Sequence, residues 1–316
     1  MNGIVGKEEY HCPSCGSLQM LYLFSGSDKL CGLPGEFYCY ECRHCGLITS
    51  FPRLNHREIK LYYPNDYYGR PGVLKPPKER KDLKSWWFWR EIKKKNLAIT
   101  KYRGGGRLLD IGCSTGNFLY GMSLTGSWEL YGLEPNPHAV DYIRTWYKFP
   151  VALGTLEDAH LPSSYFDVIT MWHVLEHMPD PRNSLLTVKE LLKPDGLLVV
   201  EVPNPESIDA KIFGSAWAGY DIPRHYHSFP AHTLREIALL SGYKVLEVKP
   251  SSGHPAGSLI LCLKWKFGNK VDSPPWRHLL RTLGSGPVSV LTIPLCAVLK
   301  SFGYIPSLSY FLTPDG

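Results

Sequence analysis

From Arg107 onward, short apolar runs alternate with stretches whose apolar residues recur every three to four positions. RLLDIGC (107–113) reads as a compact strand whose Gly112 opens a turn, and STGNFLYGMSL (114–124) as a helix with Ser114 or Thr115 as its N-cap. ELYGLEP (129–135) is a second strand ending in Glu134, and HAVDYIRTWYKF (138–149) has helical spacing. After Leu153 a short strand leads to LEDAHLP (156–162). FDVITMWHV (166–174), rich in β-branched and aromatic residues, is a fourth strand. PRNSLLTVKELLKPDG (181–196) is a helix with Pro181 in its first turn and Gly196 near its end. GLLVVEVPN (196–204) is a fifth strand, and AHTLREIALLSGY and KVLEVKPS add a helix and a strand. SLSYFLTP (307–314) reads as a last, antiparallel strand after an apolar, basic insertion. Strands alternating with helices predict βαβ units, and so an α/β, doubly wound (Rossmann-like), mostly parallel sheet. Ligands of such sheets bind beyond the carboxyl ends of the strands, at the switch point.

Composition changes this picture at the N-terminus. Six of the nine cysteines lie in the first 45 residues. The odd, clustered count argues for a reduced compartment and a metal site rather than a disulfide framework. CPSCG (12–16) and CRHCG (42–46) are two C-x2-C-G knuckles. Four thiolates close a tetrahedral site, and each glycine permits the left-handed turn that aims amides at the sulfurs. The expectation is a zinc ribbon over 1–52 with Cys12, Cys15, Cys42 and Cys45 as ligands. Cys39 competes by spacing. A closed four-cysteine site makes the zinc structural, and some fifty residues bury too little core to fold well without such a staple.

Charge singles out a second segment. Residues 75–103 hold 11 Lys and Arg against 3 Asp and Glu, although the whole chain carries only +6. Phosphates of nucleic acid, nucleotide or lipid suit such a segment, as does a solvated helix face. YYPNDYYGRPG (62–72) suggests an ordered loop or lid, and KSWWFWREIKKK (84–95) a packed linker helix, a lipid-surface helix or an aromatic-basic surface. The division expected is ribbon 1–52, linker and lid 53–104, α/β core 105–252, and apolar insertion with last strand 253–316. The opening residues MNGIVGKEEYHC lack a signal-peptide pattern. No apolar run spans a bilayer, the longest (287–299) being broken by a proline. A cytoplasmic location, with peripheral membrane contact open, follows as the expectation.

The chemistry lies in the turn LLDIGCSTGNF (108–118). Gly112 and Gly116 let a ligand approach the backbone, and Ser114 replaces the middle glycine of a dinucleotide fingerprint. Asp110 beside that turn repels a pyrophosphate and attracts an ammonium. Glu134, at the end of the second strand, suits ribose hydroxyls. The ligand read from these residues is a nucleoside with a cationic amine. Together with GLEPNP, LEDAHLPSSYFDVITMWHVLEHMPDP and LLKPDGLLVVEVPN, the turn resembles class I S-adenosylmethionine-dependent methyltransferases over about 105–250. The resemblance implies a seven-stranded core binding S-adenosyl-L-methionine. Asp110 would meet the methionine amine, with Gly112, Cys113 and Gly116 lining the turn. Glu134 and Pro135 would lie at the ribose, and Asp158 near the adenine amine.

HVLEH (173–177) matches a zinc-peptidase order, H-x-x-E-H, but a strand enters it and Pro179 follows. At most one helical turn fits there, so the segment is expected to be a loop facing the cofactor, with Asp180 capping the next helix. It lacks the Asn/Asp-Pro-Pro-aromatic sequence of amine-methylating relatives. It resembles instead a group that methylates oxygen or carbon of small molecules, sugars and quinone precursors among them. His173, His177 and His225 are candidate bases. DIPRHYHSF (221–229) resembles a segment of zinc-ribbon methyltransferases of this group, some deoxysugar methyltransferases among them, with Arg224 expected at a substrate phosphate or carboxylate and His227 at the substrate or as a further candidate base. The leading expectation is methyl transfer to a sugar, nucleotide-sugar or glycan precursor. An RNA methyltransferase using ribbon and linker, and a non-catalytic scaffold, are the alternatives. The oligomeric state is left open.

Overall fold

The structure, a computed structural model, describes residues 10–64, 83–251, 255–267, 298 and 302–316. The run 287–299, all but Val298, and the later part of the tyrosine-rich segment lie outside them. The core sheet contains β4 (Gly105–Ile111), β5 (Ser127–Glu134), β6 (Val151–Leu153), β7 (Phe166–Trp172), β8 (Leu192–Pro203), β10 (Tyr243–Pro250) and β11 (Ser307–Pro314). Their order is β10-β11-β8-β7-β4-β5-β6. Strands β4 to β8 run parallel, while β11 is antiparallel to both neighbours. The chain moves from β4 to β5 and β6 on one side, then crosses to β7 on the other, so the switch point lies between β4 and β7. Residues 196–203 of β8 are all buried, as a central strand covered on both faces requires.

Helices cover the sheet. α4 (Pro137–Trp146) starts at Asn136, whose side chain accepts from the Ala139 amide, and α5 (Pro181–Leu191) starts at Asp180, which accepts from Asn183. Three local expectations shift. α3 (Asn117–Ser123) begins at a left-handed Gly116 with no side-chain cap, because Ser114 and Thr115 are spent in the turn. The short strand ends at Leu153 instead of following it. Gly196 lies within β8, since α5 stops at Leu191.

The basic linker helix α2 (Leu83–Thr100) is part of the core layer. Ile92 and Ile99 are buried, and Ile92 packs so closely on α3 that Gly121 has no room for a Cβ. Lys101 pairs with Glu247 and Arg103 with Asp195, so part of the positive charge is neutralised within the domain. The boundary expected at 104/105 therefore does not separate two bodies. Among the described residues, no helix is long and apolar enough to cross a membrane.

The N-terminal sheet joins β1 (Met20–Gly26), β2 (Phe37–Cys42) and β3 (Ile48–Phe51) to β9 (His227–Ser228), which arrives from the core. β3 and β9 pair antiparallel. Thr233, on α7 (Ala231–Leu240), donates to the Cys45 carbonyl at 2.6 Å. Ribbon and core thus share hydrogen bonds, which the domain division drawn from the sequence did not anticipate.

Candidate active site

At the carboxyl end of β4 the chain turns through Gly112 (φ 66°), Ser114 (φ 49°) and Gly116 (φ 73°). A Cβ on Gly112 would lie 2.6 Å from Val174 Cγ2, so both φ and space demand glycine. Glu134 closes β5 with both oxygens engaged. Its Oε2 accepts from the Ser114 amide at 2.8 Å and its Oε1 from the Asn136 amide at 3.0 Å. Each oxygen keeps a lone pair, which suits a ribose diol. Asp110 is buried and accepts from Thr170 Oγ1 at 2.7 Å. Burial pushes its carboxyl up to about 7 against the opposing pull of Thr170 and Lys95, and an ammonium at the turn would favour its ionised form. Burial likewise raises Glu134. Thr170 had no motif to announce it in the sequence. Cys113 departs from expectation, because its thiol is buried against the core under the turn and is not a side-chain contact for a ligand.

Gly112, Glu134, Pro135 and Asp158 line one cleft with His173, His177 and His225. Its volume is about 1410 Å³. Single-ligand pockets run roughly 300–1,000 Å³, so a cofactor and a second molecule fit together. Thr155 Oγ1 donates to Asp158 Oδ2 at 3.0 Å, which fixes that carboxylate at the rim. The donor and acceptor set fits S-adenosylmethionine.

The HVLEH segment is a single 3-10 turn, Leu175–His177, and its two histidines diverge. His173 adopts φ 56°, and its ring nitrogens lie 3.2 Å from Glu176 and 3.1 Å from Glu201. Burial opposes its protonation, but the two carboxylates raise it to about 10. An imidazolium with both N–H groups donated takes no proton, so His173 is corrected from a base to a positioning cation. His177 behaves oppositely: burial, with the charge of His225 second, lowers it to about 4. Its Nδ1 lies 2.9 Å from the Arg224 carbonyl and 3.1 Å from Tyr63 Oη. A carbonyl only accepts, so Nδ1 carries the proton and Nε2 the lone pair. His225 repeats the arrangement, its Nδ1 lying 2.8 Å from the Gly219 carbonyl.

Two substrate expectations are overturned. Arg224 has 0% exposure, its Nε and Nη2 bound to Asp221 at 2.9 and 2.7 Å and its Nη2 also to Asp28 at 2.6 Å. Its Nη1 donates to the Tyr62 carbonyl at 3.1 Å. With its donors spent, it is a buried strut between ribbon and core instead of a phosphate receptor. His227 is buried as well, between Thr49 and the Pro179 carbonyl. Asp28 lies 196 positions from Arg224, and no local pattern announced the pair.

In the ribbon, the sulfurs of Cys12, Cys15, Cys42 and Cys45 all lie within 4.8 Å of one another. Cys12–Cys45 and Cys15–Cys42 are each 3.5 Å apart. Zinc with ~2.3 Å bonds to sulfur needs tetrahedral edges of ~3.8 Å, so the cluster fits the ion. Cys39 packs instead with Phe37, Ile48 and Tyr62, and burial pushes its thiol up to about 12.

A family model described as a methyltransferase domain matches residues 88–248. The chain belongs to that methyltransferase family. Among curated relatives, the ubiquinone biosynthesis O-methyltransferase of Cereibacter sphaeroides is 32% identical over 132 residues, which is 40% of this chain and 53% of the relative. The mitochondrial enzyme of that name from Schizosaccharomyces pombe is 35% identical over 104 residues, 30% of this chain and 37% of the relative. The chain thus spans about half the length, or less, of these relatives. A solved structure of the cyclopropane synthase MmaA2 from Mycobacterium tuberculosis superposes with a TM-score of 0.51 at 19% identity, covering 76% of this chain and 91% of that one. At that identity the likeness concerns the fold alone.

Proposed function

We propose that this protein transfers a methyl group from S-adenosylmethionine to a hydroxyl oxygen of a small molecule. One observation carries the reading: a single cleft joins Gly112 and Glu134, at the turn beside the buried Asp110, to two histidines that keep Nε2 lone pairs. Bound at the turn, S-adenosylmethionine supplies an electrophilic methyl group on a sulfonium. Asp110 would orient the amine, Glu134 the ribose, and Asp158 the adenine edge. His177 and His225 would receive the substrate hydroxyl, and His173 would keep Glu176 and Glu201 in place. The main contribution is position, since in-line transfer rewards near-attack geometry.

The names of the curated relatives favour oxygen over carbon as acceptor. Quinone precursors and sugars, free or as nucleotide-sugars and glycan or lipid precursors, share the hydroxyl this site needs. With Arg224 buried, a phosphate on the substrate has no receptor among the residues expected to bind it. The ribbon's zinc would be structural, because four thiolates leave no open position.

The test supplies S-adenosylmethionine carrying a deuterated methyl group, with phenols, catechols, nucleotide-sugars and RNA as acceptors in turn. Label on oxygen, accompanied by S-adenosylhomocysteine, is the expected result. Label on carbon or nitrogen, or on RNA alone, would overturn the acceptor assignment.

A further inference from the structure

We infer that Asp28, on the ribbon, is a positioning residue for His177 and His225 of the cleft, and that it acts on them through Arg224. The loop after β1 winds around the Asp28 carboxylate. Its Oδ1 accepts from the Leu30 and Cys31 amides, each at 3.1 Å, and its Oδ2 from the Leu33 amide at 3.2 Å. Oδ1 also receives Arg224 Nη2 at 2.6 Å, and both side chains have 0% exposure. Asp221 already neutralises the guanidinium, through Nε and Nη2. A second carboxylate leaves this triad with one excess negative charge, and burying it costs desolvation. What Asp28 adds is a fixed place for Arg224, tied to the ribbon.

That place decides the state of both histidines. The Arg224 carbonyl accepts the Nδ1 proton of His177 at 2.9 Å. One residue further on, His225 donates its amide to the Asp221 carbonyl at 3.1 Å and its Nδ1 proton to the Gly219 carbonyl at 2.8 Å. The two rings stand edge to face, with centroids 4.6 Å apart. Each Nε2 therefore keeps its lone pair only while the backbone of 219–225 stays where it is.

The ribbon holds this backbone at further points. Lys29 Nζ donates to the Ser215 carbonyl at 2.9 Å, and Ser50 Oγ to the His225 carbonyl at 3.2 Å. Phe24 packs on Tyr220 with ring centroids 4.7 Å apart. The cofactor turn is built differently, within the core: Glu134 bonds Ser114 and Asn136, and Asp110 bonds Thr170. The ribbon thus bears on the acceptor end of the cleft and leaves the cofactor end alone. A misplacement of about 1 Å can cost on the order of 100-fold in rate, so methyl transfer is sensitive to this lock. Use of the histidines on a substrate hydroxyl rests on the oxygen-transfer reading, but their placement by Asp28 does not.

The test records imidazole nitrogen correlation spectra of full-length, zinc-loaded protein labelled with nitrogen-15 histidine. His177→Gln and His225→Gln assign the signals. Wild type is expected to hold both rings as single, Nδ1-protonated tautomers at neutral pH. Asp28→Asn should turn the His177 ring into a mixture of tautomers and lower kcat about tenfold or more with catechol as acceptor, at unchanged S-adenosylmethionine affinity. Asp141→Asn, exposed on α4, should alter none of these. Retained S-adenosylmethionine binding shows that Asp28→Asn is folded. If it is lost, Arg224→Lys, which keeps a cation between the two carboxylates, is read in its place. Mixed tautomers in wild type, or a variant that loses stability yet keeps the wild-type tautomers, overturns the inference. Altered tautomers in a protein whose wild type methylates no phenol, catechol or nucleotide-sugar would sustain the positioning role and sink the oxygen-transfer reading.

Discussion

The ribbon and the cleft both gather metal-type side chains, and they do so in opposite ways. Cys12, Cys15, Cys42 and Cys45 come from two short knuckles of one small sheet, and four sulfurs fill a tetrahedron. Glu176, His177 and His225 come from two loops beyond the sheet, and the two histidines face a cleft. A closed set can only hold a fold together. An open set facing a cleft can act on a ligand. The same difference explains why one cluster was plain in the spacing of the residues and the other was not.

The largest effect expected separates the ribbon's ligands from its neighbour. Cys42→Ser should lose the zinc, on a scale of about 10 kcal/mol for such sites. The amides of β2 should then exchange freely with solvent. Cys39→Ser should keep the zinc stoichiometry of the wild type. Zinc lost by Cys39→Ser and kept by Cys42→Ser would reverse the ligand assignment.

Next in size is the joint between the two regions. Arg224→Met strands Asp28 and Asp221 as buried charges, and about 3–5 kcal/mol of stability should go. Denaturant unfolding measures it. A loss below about 1 kcal/mol would place Arg224 on the surface in solution and revive it as a substrate contact.

A third prediction concerns pH on the cleft side. Asp110 has a folded pKa raised by burial to about 7, so the folded state retains its proton where the unfolded chain has lost it. Stability contributed by this group therefore falls as pH rises from about 4 to 7. Cofactor affinity runs the other way, since an ammonium needs the ionised carboxylate. It should weaken by up to about tenfold for each pH unit below 7 in calorimetric titrations. Asp110→Asn should flatten that slope, and a slope that persists in the variant would move the titration to another group.

The smallest effect tests the loop between turn and helix. Asp180→Ala removes the cap of α5 and should cost about 1 kcal/mol in denaturant unfolding. A null effect would mean that Pro181 alone fixes the helix start.

The core strands, the capped helices α4 and α5 and the antiparallel last strand were readable because burial on both faces and capping chemistry are local signals. Ser114 was misread as a cap because turn residues and cap residues have the same chemistry, and only its left-handed φ separates them. Arg224 was read as a substrate contact because charge on a loop suggests exposure, yet Asp28 reaches it from 196 positions away. Thr170 and Glu201 lie inside apolar strands, and their partners Asp110 and His173 are set by sheet order, not spacing. The turn after β4 was legible because Gly112 and Gly116 sit at positive φ, backbone geometry that a sequence records directly.

Calorimetric titration of S-adenosylmethionine into zinc-loaded protein, beside the Glu134→Ala variant, tests the central claim most directly. Micromolar binding that the variant weakens at least tenfold, about 1.4 kcal/mol, is predicted. Equal binding by both proteins would move the cofactor away from β5, and no binding by folded wild type would contradict the account of the cleft.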